Sequence, residues 1–316
     1  MPGTAWGVWP RGSINHRLGV SAITTAASGL AYASGGSSST TGSPRISDHD
    51  EYSITGNSWT SRADQVAPAR TNPVSAKIGN VLYTSGGFTG SDTTQVDSYT
   101  LDAWTTTTPM LAPARRNGAA AQFNSGFLYY GGLVGSVAVQ DADLFQGGVW
   151  AERASLPAPA RRQQMPLKSP STGEGYSAGG IPTGGNYLDD VDRYTQATDA
   201  WDARTILPAP ARGKGSAGMI GAMGYVYGGE GFGLPTVTNN ERYDTALNSW
   251  LSKASLSFAR DEAGSGFSGS SKVFVCGGVN ATPATITTVE SYVEDAWSAM
   301  TSIPSPARAF QGDTDT

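Results

Sequence analysis

The chain has 316 residues, a net charge of −5 and a pI of about 5.1, and 41 of its residues are glycine. Glycine is about twice its usual share, whereas charged residues are only 15% and aromatic residues 9% of the chain. Disordered chains lose aromatic residues and gain charge, so this composition predicts a folded protein of many short strands and tight turns. The sequence has no cluster of Lys and Arg to suggest nucleic-acid binding, and no apolar run long enough for a membrane span.

The ends of the chain and its single cysteine bear on the cellular setting. Cys276 has no second cysteine to pair with, which excludes an internal disulfide. The N-terminal residues lack the basic and apolar regions of a signal peptide, so we expect a soluble protein as the sequence stands. Scarce lysine with abundant Gly, Ser, Thr and Ala favours an extracellular or virion-associated setting over a cytoplasmic one.

The chain is built from an internal repeat of 45 to 51 residues. Three features recur in a fixed order in each unit. Glycine pairs lie at 35–36, 86–87, 131–132, 179–180, 228–229 and 277–278. Tryptophans follow at Trp59, Trp104, Trp150, Trp201, Trp250 and Trp297. An arginine lies 10 or 11 residues after each tryptophan, at Arg70, Arg115, Arg161, Arg212, Arg260 and Arg308, and ends the phrase Pro-Ala-Arg or Phe-Ala-Arg.

Two more positions keep to this frame. An aromatic precedes each tryptophan, at Tyr52, Tyr99, Phe145, Tyr194, Tyr243 and Tyr292. Two residues before each of these is an acid, at Asp50, Asp97, Asp143, Asp192, Glu241 and Glu290. The third unit shows how one repeat reads as four strands: RNGAAAQF, GFLYYGG, DADLF and VWAERA in chain order, with the turn signals NSG and QGG between them. Four-stranded units of this length are typical of the blades of a β-propeller.

The ordered set of Gly-Gly, acid, Tyr, Trp and Pro-Ala-Arg resembles the kelch repeat and covers residues 17–308. The resemblance implies an all-β, six-bladed kelch-type propeller with four antiparallel strands in each blade. We expect one domain over residues 1–316, with terminal segments at 1–16 and 301–316 that close the ring or are extra. The repeat units are 17–62, 70–107, 115–153, 161–204, 212–253 and 260–300.

A four-stranded meander predicts which loops share a face. The linkers between blades and the loops after Gly-Gly lie on one face, and the turns after the first and third strands lie on the other. The recurrent arginines therefore begin the innermost strands at one mouth of the central channel. The loops after Gly-Gly vary most, as expected of a binding surface on a regular scaffold.

The arginines allow two interpretations. Because six acids repeat with them, they can form structural ion pairs within or between blades. Alternatively, they form a ring of donors for a carboxylate or sugar acid. The candidate ligand-binding residues from this ring are Arg70, Arg115 and Arg161. The residues that follow the arginines vary, and Arg116, Arg162 and Lys214 on one arc of the mouth are expected to face Asp261 and Glu262 on the other. Arg116, Arg162, Lys214 and Glu262 complete the charged set of candidates.

The remaining candidates are three aromatic residues of the variable loops, Phe88, Tyr187 and Phe232, which offer large contact areas at little entropic cost. The tryptophans repeat in register and are expected to pack the blades. Kelch-type propellers include copper-radical oxidases, but the two histidines, His16 and His49, lack ligand spacing. We therefore predict no metal, no cofactor and no catalytic residue.

The sequence best fits a non-enzymatic propeller that presents a loop face to a protein segment or a surface glycan. A virion component, such as a phage fibre, receptor-binding or decoration protein, and a cell-surface component both fit the composition. The alternative is a carbohydrate-active enzyme that resembles the kelch-type sialic-acid epimerase. Trp6 and Arg17 repeat the Trp–Arg spacing of Trp297 and Arg308, so one terminal segment is spare. We expect it to add to an outer edge or to engage a neighbouring subunit.

Overall fold

Six antiparallel sheets of four strands stand in a ring in the computed structural model of the chain. The structure describes residues 21–25, 30–37, 44–53, 56–169, 172–268, 272–282, 286–293 and 295–302. These residues form no helix, and so none that is long and apolar enough to cross a membrane. The fold expected from the repeat, an all-β six-bladed propeller, is confirmed.

Each blade takes its four strands from one continuous stretch of chain. In the first three blades the strands are Ser21–Thr25, Leu30–Ser34, His49–Ser53 and Ser58–Arg62; Val74–Ile78, Val81–Ser85, Val96–Thr100 and Ala103–Thr106; and Ala119–Phe123, Gly126–Tyr130, Ala142–Gln146 and Val149–Glu152. In the last three they are Met165–Ser169, Glu174–Pro182, Leu188–Thr195 and Ala200–Ala203; Ser216–Ile220, Met223–Tyr227, Asn240–Asp244 and Ser249–Ser252; and Gly264–Ser268, Lys272–Cys276, Val289–Val293 and Ala296–Met300. We call these blades one to six.

The innermost strand of blade three shows the small, buried residues expected of strands that crowd around the axis. In blade three the strand Ala119–Phe123 begins with three alanines and is buried at every position. The innermost strands of neighbouring blades pack against each other all the way round. The apolar side chains of facing sheets interlock between blades, and the largest such cluster joins blades four, five and six. The core is therefore a series of interblade layers, not a single centre.

The repeated tyrosine and tryptophan tie blades two, four and five to the blade before each of them. In blade two the Tyr99 hydroxyl donates to Asp102 Oδ1 at 2.9 Å, and the same oxygen accepts the backbone N–H of Ala63 in blade one at 3.0 Å. The indole N–H of Trp104 donates to the Ala63 carbonyl, also at 3.0 Å. Blades four and five repeat this pattern with Tyr194 and Trp201 and with Tyr243 and Trp250. Each of these hydrogen bonds contributes about 0.5–1.5 kcal/mol net.

Blade three departs from this pattern in two places at once. Phe145 has no hydroxyl, and the turn that carries Asp102 in blade two is Gly147–Gly148 in blade three. Donor and acceptor are lost together, so no buried polar group is orphaned by the change. Trp150 still donates to the Thr108 carbonyl at 3.1 Å, and the Thr108 hydroxyl donates to the Gly148 carbonyl at 2.8 Å.

Among the described residues, blades six and one meet without an exchange of strands. Ala296–Met300 is the outermost strand of blade six, and the Thr301 N–H donates to Asn57 Oδ1 of blade one at 2.9 Å. The Asn57 oxygen also accepts from the Tyr52 hydroxyl. The C-terminal segment therefore supplies the last strand of blade six. The N-terminal copy, with Trp6 and Arg17, and the C-terminal Arg308 lie outside the described residues.

Deletion of residues 1–12 tests the prediction that the N-terminal copy is a spare edge segment. We expect the truncated chain to lose assembly or to melt at a lower temperature, because an outer β-edge would lose its pairing partner. Light scattering after size-exclusion chromatography and a thermal melt measure the two quantities. If assembly state and melting temperature are both unchanged, the prediction is wrong.

Candidate functional site

The linkers between blades and the loops after Gly-Gly meet on one face, which we call the loop face. In blade two Thr71, directly after the recurrent arginine, pairs with Phe88, directly after Gly-Gly. Blade three pairs Arg116 with Leu133 in the same way, and blade six pairs Asp261 with Val279. These short pairings anchor the start of each variable loop beside the channel mouth.

Five polar residues surround this mouth in an unusual backbone conformation. Each lies two residues after a recurrent arginine and has a φ between 48° and 57°: Asn72, Asn117, Gln163, Lys214 and Glu262. Their backbones form a chain of four hydrogen bonds from blade to blade, with N···O distances of 2.8 to 3.2 Å, in which the N–H of each residue after Asn72 donates to the carbonyl of its counterpart in the preceding blade. We call them the mouth ring. The left-handed conformation costs a non-glycine residue about 1–2 kcal/mol, so a polar side chain here is costly to keep.

The recurrent arginines lie beneath this ring and are buried. The five in the described residues, Arg70, Arg115, Arg161, Arg212 and Arg260, are at most 1% exposed. Four of them form ion pairs with the recurrent acid of the same blade, Asp97, Asp143, Asp192 and Glu290. In blade two the Arg70 Nη2 to Asp97 Oδ2 distance is 2.6 Å. This geometry corresponds to the structural interpretation of the repeat.

This burial corrects the selection of Arg70, Arg115 and Arg161 as ligand contacts. Their guanidinium groups are buried and already donate to carboxylates and carbonyls in their own blades. A ligand could reach them only if a blade opened. We therefore leave these three arginines out of the proposed site.

Arg212 in blade five lacks an ion pair of this kind. Its Nη1 donates to the carbonyls of Pro208 and Pro210, each at 3.2 Å, while Glu241 accepts from Ser252. Desolvation lowers the pKa of Arg212 to about 10. The phrase Leu-Pro-Ala-Pro-Ala-Arg thus provides acceptors for its own arginine through the linker carbonyls.

A connected group of charged and amide side chains lies at the mouth in blades four, five and six. Arg162 donates to Gln163 Oε1, and Gln163 Nε2 donates to Glu262 Oε1 at 3.0 Å across the mouth. Lys214 Nζ lies 2.6 Å from Glu230 Oε2 and 3.7 Å from Asp261 Oδ2. We call the six residues the mouth cluster: Arg162, Gln163, Lys214, Glu230, Asp261 and Glu262. Lys214 of the expected basic arc thus contacts Asp261 of the expected acidic arc, and Arg162 reaches Glu262 through Gln163.

The mouth cluster shifts the ionisation of its members. Desolvation raises the pKa of Asp261 to about 8, the nearby Glu262 charge adds to the rise, and Lys214 opposes it. Desolvation also raises the pKa of Glu262, again against Lys214. The pKa of Glu230 falls despite desolvation, because Lys214 donates a hydrogen bond to it. Near neutral pH the cluster thus holds the Asp261 carboxyl, which can donate a hydrogen bond, beside the Glu230 carboxylate, which can accept one.

A pH titration of Asp261→Asn tests this arrangement. The pKa of Asp261 is higher in the folded chain than in the unfolded chain, so its contribution to stability is complete below about pH 4 and is lost as the pH rises through about 8. Wild type should therefore lose unfolding free energy between about pH 5 and pH 8, relative to the Asn variant, in which this carboxyl no longer titrates. Denaturant unfolding at both pH values measures the difference. Parallel pH profiles for the two proteins would contradict the raised pKa.

Phe88 lies under two arginines on the other arc of the loop face. The guanidinium carbon of Arg45 in blade one lies 4.9 Å from the centre of the Phe88 ring, and that of Arg116 in blade three lies 4.7 Å from it. Arg116 forms an ion pair with Asp92 and donates to the Gly135 carbonyl at 2.7 Å. Cations stack favourably on an aromatic ring, so Phe88 orients two arginines and is not an open platform for a ligand.

The sequence-predicted residues therefore fall into three groups. Arg162, Lys214 and Glu262 come together in the mouth cluster, with Tyr187 half-buried close by, where desolvation raises the pKa of Tyr187 to about 12. Arg116 and Phe88 come together with Arg45. Phe232 is 67% exposed in the loop after Gly-Gly of blade five.

Three site residues, Arg45, Asp92 and Glu230, were missed by the reasoning from sequence. Glu230 carried a usable signal, since it directly follows a Gly-Gly pair and pairs with Gly213, the residue after a recurrent arginine. Arg45 and Asp92 lie deeper in variable loops and carried none. Within the described part of the chain, no group of three or more His, Cys, Asp and Glu side chains is arranged to hold a metal ion.

Comparisons with known proteins support the fold and do not identify a family. No protein-family model matches the sequence, and a search of curated proteins found no match. Among solved structures, the one titled "Structure of YjhT" matches with a TM-score of 0.74 over 90% of this chain and 97% of that chain, at 14% sequence identity. At this identity the match shows a shared six-bladed propeller fold. The chain is thus similar in architecture to YjhT.

Proposed function

We propose that the protein is a non-enzymatic binding propeller that recognises a surface glycan at the channel mouth. The observation that carries the proposal is the mouth cluster, in which donors and acceptors from three blades converge on one opening. A polyhydroxylated ligand can exchange hydrogen bonds with such a mixed set. The strained backbone of the mouth ring supports the same reading, because it holds these side chains at the opening at a cost in stability.

A glycan array probed with the labelled full chain tests the proposal. We expect selective binding by wild type and a loss of about tenfold or more for Gln163→Ala and Glu262→Gln, because each removes part of a hydrogen-bonded bridge across the mouth. Arg193→Gln is the matched control, since Arg193 pairs with Glu174 and Asp202 on the outer part of blade four. A pull-down with the same proteins tests whether the partner is a protein segment and not a glycan. Protein capture through the exposed Phe232, with no glycan bound, would contradict the proposal in favour of a protein segment.

A carbohydrate-active enzyme is the second candidate, and one observation favours it. Asp261 combines burial, a pKa raised to about 8 and a neighbouring lysine, a combination that suits proton transfer near neutral pH. Proton NMR of reducing sugars incubated with the protein would detect accelerated exchange between anomers or epimers. For this candidate we expect turnover by wild type and its loss, with the melting temperature kept, in Asp261→Asn and Glu262→Gln. Glycan binding without turnover supports the binding propeller.

The wider setting of the protein follows from composition alone. Low lysine and abundant small polar residues suit an exposed particle or a cell surface, such as a virion fibre or decoration protein. Immunogold labelling of particles and cells that carry the gene would locate the protein. Label confined to the cytoplasm would contradict this part of the proposal.

A further inference from the structure

Arg45 is a partly buried arginine whose guanidinium group has few hydrogen-bond partners. Its Nη1 donates to the Thr89 carbonyl at 3.2 Å, and its guanidinium group rests on Phe88. Its Nε is buried and has no hydrogen-bond partner, and no carboxylate of the described residues pairs with Arg45. An orphaned buried donor costs about 1–3 kcal/mol, and an acceptor at this edge of the group would recover it.

The surroundings of Arg45 carry an excess of positive charge. Arg116 lies over the same aromatic ring and pairs with Asp92, whereas no carboxylate of the described residues pairs with Arg45. Asp92 is also committed elsewhere, because its Oδ2 accepts the Gly135 N–H at 2.6 Å. The three loops that meet here thus hold one guanidinium group that has no carboxylate partner among the described residues. A guanidinium group matches the two oxygens of a carboxylate or a sulfate.

We propose that Arg45, held on Phe88 beside Arg116, is a subsite for the oxyanion of an acidic glycan. The inference rests on the proposed glycan recognition and names its ligand class, a saccharide that carries a carboxylate or a sulfate ester. Arg45 contacts the anion directly. Phe88 and Arg116 are positioning residues: the ring fixes the plane of the guanidinium group, and Arg116 adds positive potential. The mouth cluster contacts the neutral hydroxyl groups of the same chain of sugars.

The test compares neutral, uronate-containing and sulfated glycans of matched backbone. Wild type should prefer the acidic members, and Arg45→Gln should reduce that preference about ten- to hundredfold while binding the neutral members as before. Arg45→Lys should keep part of the preference, since it keeps the charge and loses the planar edge. The preference should weaken as salt is added. Arg193→Gln is the control, and a thermal melt of each variant verifies the fold.

The outcomes separate this inference from the function on which it rests. Binding of glycans with no acidic preference, or equal loss of neutral and acidic binding in Arg45→Gln at an unchanged melting temperature, overturns the subsite alone. Failure of wild type to bind any glycan overturns both, as does capture of acidic peptides in place of glycans. A preference for uronates that sulfated glycans do not share assigns the anion as a carboxylate, and the reverse assigns a sulfate.

Discussion

Replacing Arg70 by methionine is expected to lower the free energy of unfolding by about 3–5 kcal/mol. Arg70 and Asp97 are at most 1% exposed, and the change leaves Asp97 as a buried carboxylate without its cation. Whole domains have a free energy of unfolding of only about 5–15 kcal/mol, so the loss of one such pair removes a large part of the stability. Urea unfolding followed by tryptophan fluorescence measures the loss.

Two further variants test whether the loss of stability in Arg70→Met comes from the buried, unpaired Asp97. Arg193→Met removes an arginine from a partly exposed network with Glu174 and Asp202, and should cost about 0–1 kcal/mol. The double variant Arg70→Met/Asp97→Asn should be more stable than Arg70→Met, because it removes the unpaired charge. If Arg70→Met has the same free energy of unfolding as wild type, the ion pair does not stabilise the fold. Ligand binding by the recurrent arginines would then have to be reconsidered.

Gly132→Ala is the second variant with a large expected effect, a loss of about 3 kcal/mol or more. Gly132 is the second glycine of its pair, with a φ of 108° that side-chain-bearing residues rarely adopt. A Cβ there would lie 2.5 Å from the Arg116 carbonyl oxygen and 3.0 Å from the Gly118 nitrogen. Both are backbone atoms and cannot swing aside as a flexible side chain could, so the loop start would have to move.

Gly135→Ala is the matched control three residues later. Gly135 also has a positive φ, 60°, but a Cβ there meets nothing within 4 Å. It should cost only the left-handed backbone penalty of about 1–2 kcal/mol. Equal losses in the two variants would show that the Gly-Gly pair is needed for its φ values alone, and not for the close approach of two backbones.

The fold could be predicted because each blade repeats its whole set of constraints. Trp104 and Tyr99 must bond to the blade before them, and Gly86–Gly87 must let two backbones approach, so the same residues recur at the same spacing. The third unit has neither the tyrosine nor the turn acid. Its fold could still be predicted because its glycine pair, tryptophan and arginine keep the spacing of the other units. The unit boundaries stay predictions, although the strands fall within them.

The site could be predicted only in part, because it lies where the repeat stops repeating. The residues after the recurrent arginines could be placed at the mouth, since their position follows from the strand direction. The role of Arg70 could not be settled, since an arginine that pairs with Asp97 and one that faces a ligand have the same spacing. Arg45 could not be found, because its partner Phe88 comes from another blade's loop.

The repeated linker phrase has a physical account in this structure. Its leucine, such as Leu156 or Leu207, is buried, and its arginine anchors the next blade from beneath the mouth ring. The two positions that follow vary from blade to blade: the first pairs with the variable loop, and the second belongs to the mouth ring. The structural arginine and the residues of the proposed site are thus one or two residues apart along the chain.

A crystal structure of the full chain with the best-bound acidic glycan tests the central claim most directly. The account predicts sugar density at the channel mouth, with hydroxyl groups within hydrogen-bonding distance of Gln163 or Glu262 and the anionic group at Arg45. Density on the opposite face, beside the turns at Gly79 or Gly221, or along the outer strands would contradict it.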